Sequence, residues 1–243
     1  IFVPEDKESV ASAELALRDT AITQPAVLTA DVAMMRLLAT YGYAPDMVIG
    51  HSLGEYAALV AAGVLSFAAA LQIVSARGRE MTRVSVNDNG AMAAVSAPIA
   101  EVERILQTID GYVVLANINS PLQSVIGGAT AAVDAALLAC QAAGFQAVKI
   151  PVSHAFHTAI VAPASGPLRQ VIERLGVGAP NIPVIANVTG QEYPRDPQAI
   201  MDMLATQVAS PVQFIKSMQA LYDAGARVMV ESGPKRVLSA LAT

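Results

Sequence analysis

The sequence predicts an α/β fold in which a mainly parallel, covered sheet carries a smaller inserted subdomain. Three observations support it. Apolar runs of strand length alternate with helix-period stretches along much of the chain, the order expected when helices connect parallel strands. Between Asn89 and Ile150 the rhythm changes to strand–helix–strand–strand–helix–strand, the split-βαβ or ferredoxin-like order. A Gly-x-Ser-x-Gly run, Gly50–Gly54, stands between a short apolar strand and an alanine-rich helix.

The elements follow in order. Thr23 and Pro25 suit a helix opening, since Thr caps and Pro tolerates the first turn. Val27, Leu28, Val32, Met35 and Leu38 then give an apolar face that stops at Gly42. Pro45–Gly50 reads as a buried strand, Glu55–Ala62 as a helix, and Ser66 as the cap of a second helix that runs through Arg77 to Met81. Within the insert, strands are expected at Gly90–Ser96, Tyr112–Ile118, Gln123–Ile126 and Phe145–Ile150. Its helices are expected at Pro98–Gln107 and Ala129–Ala143. After Pro151 come helices at Leu168–Leu175, Gln198–Val208 and Phe214–Ala224, strands at Ile182–Val188 and Arg227–Glu231, and a last helix after Pro234. The expected division is 1–88 with 152–243 as the large subdomain and 89–151 as the insert. The insert's roughly 60 residues are about the minimum for an independent core.

The 243 residues are 54% hydrophobic and 14% charged, so the chain can bury a sizeable core and its composition argues against disorder. No apolar run is long enough to span a bilayer. The net charge of −5 shows no nucleic-acid footprint. The single cysteine, Cys140, excludes an intrachain disulfide and reads as a core thiol; with no metal motif, the cytoplasm is the expected compartment. The sequence begins at Ile1 without a Met or a basic leader and reads as a piece of something longer.

Gly50-His51-Ser52-Leu53-Gly54 fits the nucleophile elbow. The flanking glycines let the backbones of a sharp strand-to-helix turn pass, and the turn exposes the Ser52 hydroxyl. The helix start behind it offers unpaired N–H groups that stabilise an oxyanion. The base must come from His51, His154 or His157, the chain's three histidines. His51 adjoins the nucleophile on the strand's other face and reads as structural. His154 and His157 lie in a loop after a strand, a suitable place for a base. None of the carboxylates between Ser52 and His157 sits at a large-subdomain strand end, so a Ser–His dyad is expected rather than a triad. Arg77 is either a surface residue or an anion clamp, since its guanidinium matches a carboxylate with two parallel hydrogen bonds.

Together these segments resemble the malonyl-CoA:acyl-carrier-protein transacylase family, which includes the acyltransferase domains of polyketide and fatty-acid synthases. Gly50–Tyr56 is similar to the family's GHSxGE motif, and Arg77–Met81 to its RGxxM segment, whose Arg holds the free carboxylate of the extender unit. Asn117–Pro121 with Gln123–Gly127 resembles the small-subdomain hairpin. His154-Ala155-Phe156-His157 resembles the HAFH segment of malonyl-selective members, in which the last His is the base. Ser210–Phe214 and Glu231–Pro234 resemble late motifs, and a backbone carbonyl around Gln207 orients the catalytic His in that family. The family's opening strand and its Phe-x-Gly-Gln-Gly loop, which completes the oxyanion hole, have no counterpart in the sequence.

The resemblance implies a hydrolase-like large subdomain with the ferredoxin-like insert forming one wall of the cleft. It implies Ser52 as nucleophile, His157 as base, the Leu53 N–H in the oxyanion hole, and Arg77, His154, Phe156 and His51 about the substrate. It also implies a malonyl-CoA substrate, an acyl carrier protein that brings its own phosphopantetheine thiol, neighbouring synthase domains, and neither metal nor bound cofactor. Two rivals share the elbow: a serine esterase or thioesterase, which needs an acid partner for its His, and a degenerate docking module of a synthase.

Overall fold

The computed structural model describes residues 6–17, 19–84 and 87–242. The outermost residues of the expected large subdomain, 1–5 and 243, lie outside that description. The chain opens with a helix that the periodicity did not reveal, α1 (Lys7–Ala16), whose start is capped by Asp6 accepting from the Ser9 N–H at 2.8 Å. It buries no side chain, so no apolar stripe marks it.

Helix α2 (Thr20–Thr40) starts one turn earlier than expected. Its cap is Asp19, which accepts from the Ala21 N–H at 2.8 Å, and not Thr23; Pro25 therefore lies inside the helix. Strand β1 (Val48–Ile49) leads into the elbow and helix α3 (Gly54–Ala61). Ser66 caps α4 (Phe67–Arg83) as expected, accepting from the Ala69 N–H. Gly78 is where α4 crosses the start of α2: a Cβ there would sit 2.8 Å from the Thr20 carbonyl oxygen. Helices α2, α3 and α4 share a core of Leu28, Tyr56, Leu59, Ile73 and Val74.

The insert comprises β2 (Ala91–Ser96), α5 (Ile99–Leu106), β3 (Val113–Ser120), β4 (Gln123–Gly128), α6 (Thr130–Ala142) and β5 (Gln146–Ile150). Its sheet is antiparallel in the order β3-β4-β2-β5. Alternate strand residues such as Ala93, Val95 and Ile126 meet Val102, Val133 and Ala136 of the two helices. Cys140 is buried in that layer, where its thiol packs as a small apolar group.

The chain then passes a 3₁₀ turn (Ala159–Ala164) into α7 (Ser165–Leu175) and β6 (Val184–Ile185). Helices α8 (Pro197–Gln207), α9 (Phe214–Asp223) and α10 (Val237–Leu241) complete it. Strand β6 lies parallel to β1, pairing Val48 with Val184 and Ile49 with Ile185. The strand expected at Arg227–Glu231 does not form: Val228 is 83% exposed and Val230 60%. Among the described residues no neighbouring strand pairs with it, and an apolar run without a ladder partner stays irregular.

The insert is fastened to the large part through its edge strand. Val212 N–H donates to the Ala116 carbonyl and Ile118 N–H to the Val212 carbonyl, both at 2.9 Å. No helix among the described residues is long and apolar enough to cross a membrane.

Candidate active site

The elbow has the strained geometry the motif implies. Ser52 sits at φ 52°, a left-handed conformation that a side chain adopts at a cost. A Cβ on Gly50 would lie 2.1 Å from the Gly54 carbonyl carbon and 2.2 Å from the Glu55 nitrogen, so glycine is required there. Gly54 differs from the expectation: a Cβ on it would meet nothing within 4 Å. The crossing of backbones needs one small residue, not two.

The Ser52 hydroxyl lies 2.7 Å from His157 Nε2. His157 Nδ1 faces two carbonyl oxygens, those of Gln207 at 3.2 Å and Ser210 at 3.1 Å. Carbonyls only accept, so Nδ1 carries the proton and Nε2 presents its lone pair to the serine. His157 is itself left-handed, at φ 60°, and its N–H donates to the Val208 carbonyl at 3.0 Å. Burial, aided by the Arg77 charge and by His51, pulls its pKa down to about 3. The imidazole is therefore neutral at pH 7, the state a base requires. Among the described residues no carboxylate meets Nδ1; the two carbonyls do. Gln207 is the one that the family resemblance implied, and Ser210 the one it missed.

Arg77 is buried beside the dyad, which removes the surface reading. Its Nη1 donates to Gln24 Oε1 at 2.8 Å, and its Nη2 lies 3.5 Å from both Ser52 Oγ and Gln207 Oε1. Its Nε is buried without a partner in the described structure. Its Nη2 faces the Ser52 hydroxyl, and a guanidinium N–H in that place can donate to an anion. Leu53 precedes the first residue of α3, so its N–H has no carbonyl one turn back in the helix to meet.

The other expected residues pair elsewhere than with the Ser52 hydroxyl among the described contacts. His51 Nε2 pairs with Asn119 Oδ1 of β3 at 2.8 Å, and its ring meets Phe214 edge-on. His154 Nε2 pairs with the Val84 carbonyl at 3.1 Å, and its buried Nδ1 meets no partner among the described residues. Phe156 is partly buried between the large core and the cluster of Met92, Ala116, Val125 and Ala155.

Sequence reasoning missed the supports. Glu55 is wholly buried, and burial pushes its carboxyl up from the usual range while its hydrogen bonds oppose the rise. Asn187 stands two residues past Ile185, the partner of Ile49, so the parallel register carries it alongside His51 and Ser52. Its Oδ1 accepts from the Ser52 N–H at 2.5 Å and its Nδ2 donates to the Gly50 carbonyl at 2.6 Å. The expected strand Ile182–Val188 shortens to Val184–Ile185, which puts Asn187 past its end; the signal in the sequence was only a polar residue near the end of an apolar strand. Among the described residues no cluster of His, Cys, Asp and Glu could hold a metal ion.

The sequence profile of the acyl transferase domain matches residues 7–242. The malonyl CoA-acyl carrier protein transacylase of Escherichia coli K12 is 41% identical over 232 residues, spanning 93% of this chain and 74% of its own. The solved malonyl CoA-acyl carrier protein transacylase of Coxiella burnetii superposes with a TM-score of 0.88 at 38% identity, over 93% of this chain and 73% of its own. A malonyl-transacylase solved in complex with a type II polyketide-synthase acyl-carrier protein gives a TM-score of 0.89 at 36% identity, over 94% of this chain and 75% of its own. The elbow, the neutral histidine and the buried arginine thus stand in a chain that belongs to the acyl transferase domain family.

Proposed function

We propose that this protein moves a malonyl unit from CoA to the phosphopantetheine thiol of an acyl carrier protein through an acyl-Ser52 intermediate. One observation carries the reading: the Ser52–His157 hydrogen bond of 2.7 Å has a buried guanidinium 3.5 Å from the same hydroxyl. A hydrolase of simple acyl esters has no use for a cation at that distance. A short acyl chain ending in a carboxylate does. The relatives named as malonyl transacylases, and the one held by its carrier protein, support the same substrate and partner.

His157 Nε2 takes the hydroxyl proton as Ser52 Oγ attacks the thioester carbonyl, and the Leu53 N–H stabilises the resulting oxyanion. The carbon–sulfur bond breaks, and the CoA sulfur leaves with the proton from His157. The carrier thiol then gives its proton to His157 and attacks the serine ester; Ser52 oxygen departs and regains the proton. Arg77 holds the malonyl carboxylate throughout, and Phe156, His154 and His51 shape the surrounding wall. CoA and phosphopantetheine enter as substrates, with no resident cofactor or metal. Residues 1–88 with 152–243 act as the catalytic subdomain and 89–151 as the cleft wall. The setting is a cytoplasmic synthase, among its other domains. The esterase rival wants a carboxylate at His157 Nδ1, where the carbonyls of Gln207 and Ser210 stand.

The test is mass spectrometry of Ser52 after incubation with mixed acetyl-, malonyl- and methylmalonyl-CoA. The wild type takes malonyl and Ser52→Ala takes nothing. Arg77→Ala loses a charge-assisted pair of about 1.5–3 kcal/mol, roughly 10- to 150-fold in the preference of malonyl over acetyl. Phe156→Ser admits the methyl branch, a discrimination of about 1–3 kcal/mol. Equal loss of acetyl and malonyl loading in Arg77→Ala would remove the substrate assignment.

A further inference from the structure

We infer that Glu55, which touches no reacting atom, is a positioning residue that holds both peptide groups of Ser52 through two side-chain amides. This rests on Ser52 being the nucleophile of the proposed transfer. Glu55 is fully buried on the first turn of α3, and its carboxylate accepts three hydrogen bonds. Oε1 takes the Tyr193 hydroxyl at 2.6 Å and the Asn187 N–H at 3.1 Å; Oε2 takes Gln207 Nε2 at 2.6 Å.

Two of those three donors belong to residues that grip the elbow. Asn187, fixed by its backbone, brackets the turn with its side chain, accepting from the Ser52 N–H and donating to the Gly50 carbonyl. Gln207, fixed by its side chain, donates from the same Nε2 to the Ser52 carbonyl at 2.8 Å. The N–H and C=O of the residue held at φ 52° are therefore each tied to a side chain whose residue is itself held by Glu55, Asn187 through its backbone N–H and Gln207 through its side-chain amide.

The arrangement needs the ionised carboxylate, which can only accept; its three donors and the Arg77 charge oppose the burial that pushes this carboxyl up. It compels Gln207 to turn its NH₂ inward, which leaves Gln207 Oε1 facing Arg77 Nη2. Reversing that amide would set NH₂ against the guanidinium, donor against donor, and strip the Ser52 carbonyl of its donor. A glutamine at position 55 offers both a donor and an acceptor, so the direction of the Gln207 amide then rests on Arg77 and the Ser52 carbonyl alone. Displacing a nucleophile by about 1 Å costs roughly 100-fold in rate, so even a partial release is measurable.

The test is a double-mutant cycle of Glu55→Gln and Gln207→Met in the full chain. Gln207→Met deletes the side-chain donor and keeps the backbone carbonyl that orients His157. The readout is the rate at which a fluorophosphonate labels Ser52, which needs the dyad but no malonyl group; Leu168→Ala in the large core is the stability control. Each single variant is expected to label about 10-fold more slowly, and the double no slower than the worse single within about 3-fold, since both break one contact. Wild-type labelling by Glu55→Gln, multiplied losses in the double, or equal slowing in Leu168→Ala at the same drop in Tm would each overturn the inference. If Glu55→Gln does not fold, wild-type labelling by Gln207→Met overturns it alone. Malonyl loading is measured in parallel: a wild type that labels but takes no malonyl overturns the proposed transfer and leaves this inference decided by the labelling rates.

Discussion

Replacing Gly50 by alanine tests the elbow at its tightest point. The added Cβ would stand 2.1 Å from the Gly54 carbonyl carbon, 2.2 Å from the Glu55 nitrogen and 2.2 Å from the Gly54 oxygen, all backbone. Relief to ordinary contact, about 3.4 Å, requires the strand end and the helix start to part by more than 1 Å. No flexible side chain can absorb that shift, and Asn187 already ties the Gly50 carbonyl to the Ser52 N–H. Overpacking of this kind costs about 1–3 kcal/mol or more. A displacement of that size between Ser52 and His157 costs roughly 100-fold in acylation. Gly54→Ala is the matched comparison: its Cβ meets open space, and alanine favours the helix there by up to about 1 kcal/mol. The assay is the single-turnover rate of acyl-Ser52 formation with a thermal melt of each variant. Gly50→Ala should lose both rate and Tm, while Gly54→Ala keeps or gains Tm. Equal Tm loss in the two variants would refute the steric account.

Two further outcomes follow from the buried titrating groups. His157 keeps its proton off down to about pH 3 in the folded protein against 6.5 for a free imidazole, so kcat/KM should show no acid-side fall centred near pH 6.5; a fall there would mean the base is not this buried imidazole. The same depression means the unfolded chain takes up the proton first as pH falls, so this contribution to stability is complete above pH 6.5 and lost progressively toward pH 3, as Tm across that window with and without His157→Ala would show. Asp31 is the opposite case. Burial raises its pKa from 3.8 to about 6, so the folded state is penalised as pH rises through that interval. Asp31→Asn should raise Tm at pH 8 and change it little at pH 4; a uniform shift would assign the effect to packing.

Ser52, His157 and Arg77 were legible because each carries chemistry that few residue types supply, at a spacing that a strand, a turn and a helix make natural. The insert was legible for a related reason: its alternation of apolar residues needs only its own strands to be satisfied. Elements that depend on distant partners were not. Arg227–Glu231 has strand composition, yet a strand exists only where another backbone completes its ladder. Helix α1 has no buried face to announce it, and Asp19 displaced Thr23 as a cap because either residue type serves. Glu55 and Asn187 act on the elbow across 132 residues of sequence. Nothing local distinguishes a buried carboxylate with three donors from a solvated one until the fold brings the donors in.

The stitch between Val212 and β3 has a consequence for anyone exchanging inserts between related proteins. β3 is an outer strand of its sheet, and Val212 supplies the hydrogen-bonding partners along Ala116–Ile118. The same short run continues to Gln213, whose N–H donates to the Asn187 carbonyl, and begins at Ser210, whose carbonyl receives His157 Nδ1. A graft cut only at the ends of β2 and β5 would leave this run matched to the wrong guest strand. Its error would reach the imidazole through Ser210 and the turn through Asn187. The natural unit of exchange is therefore discontinuous: 91–150 together with 210–214. An insert taken without its strap would also arrive with a bare strand edge, the surface on which unrelated chains pair and precipitate.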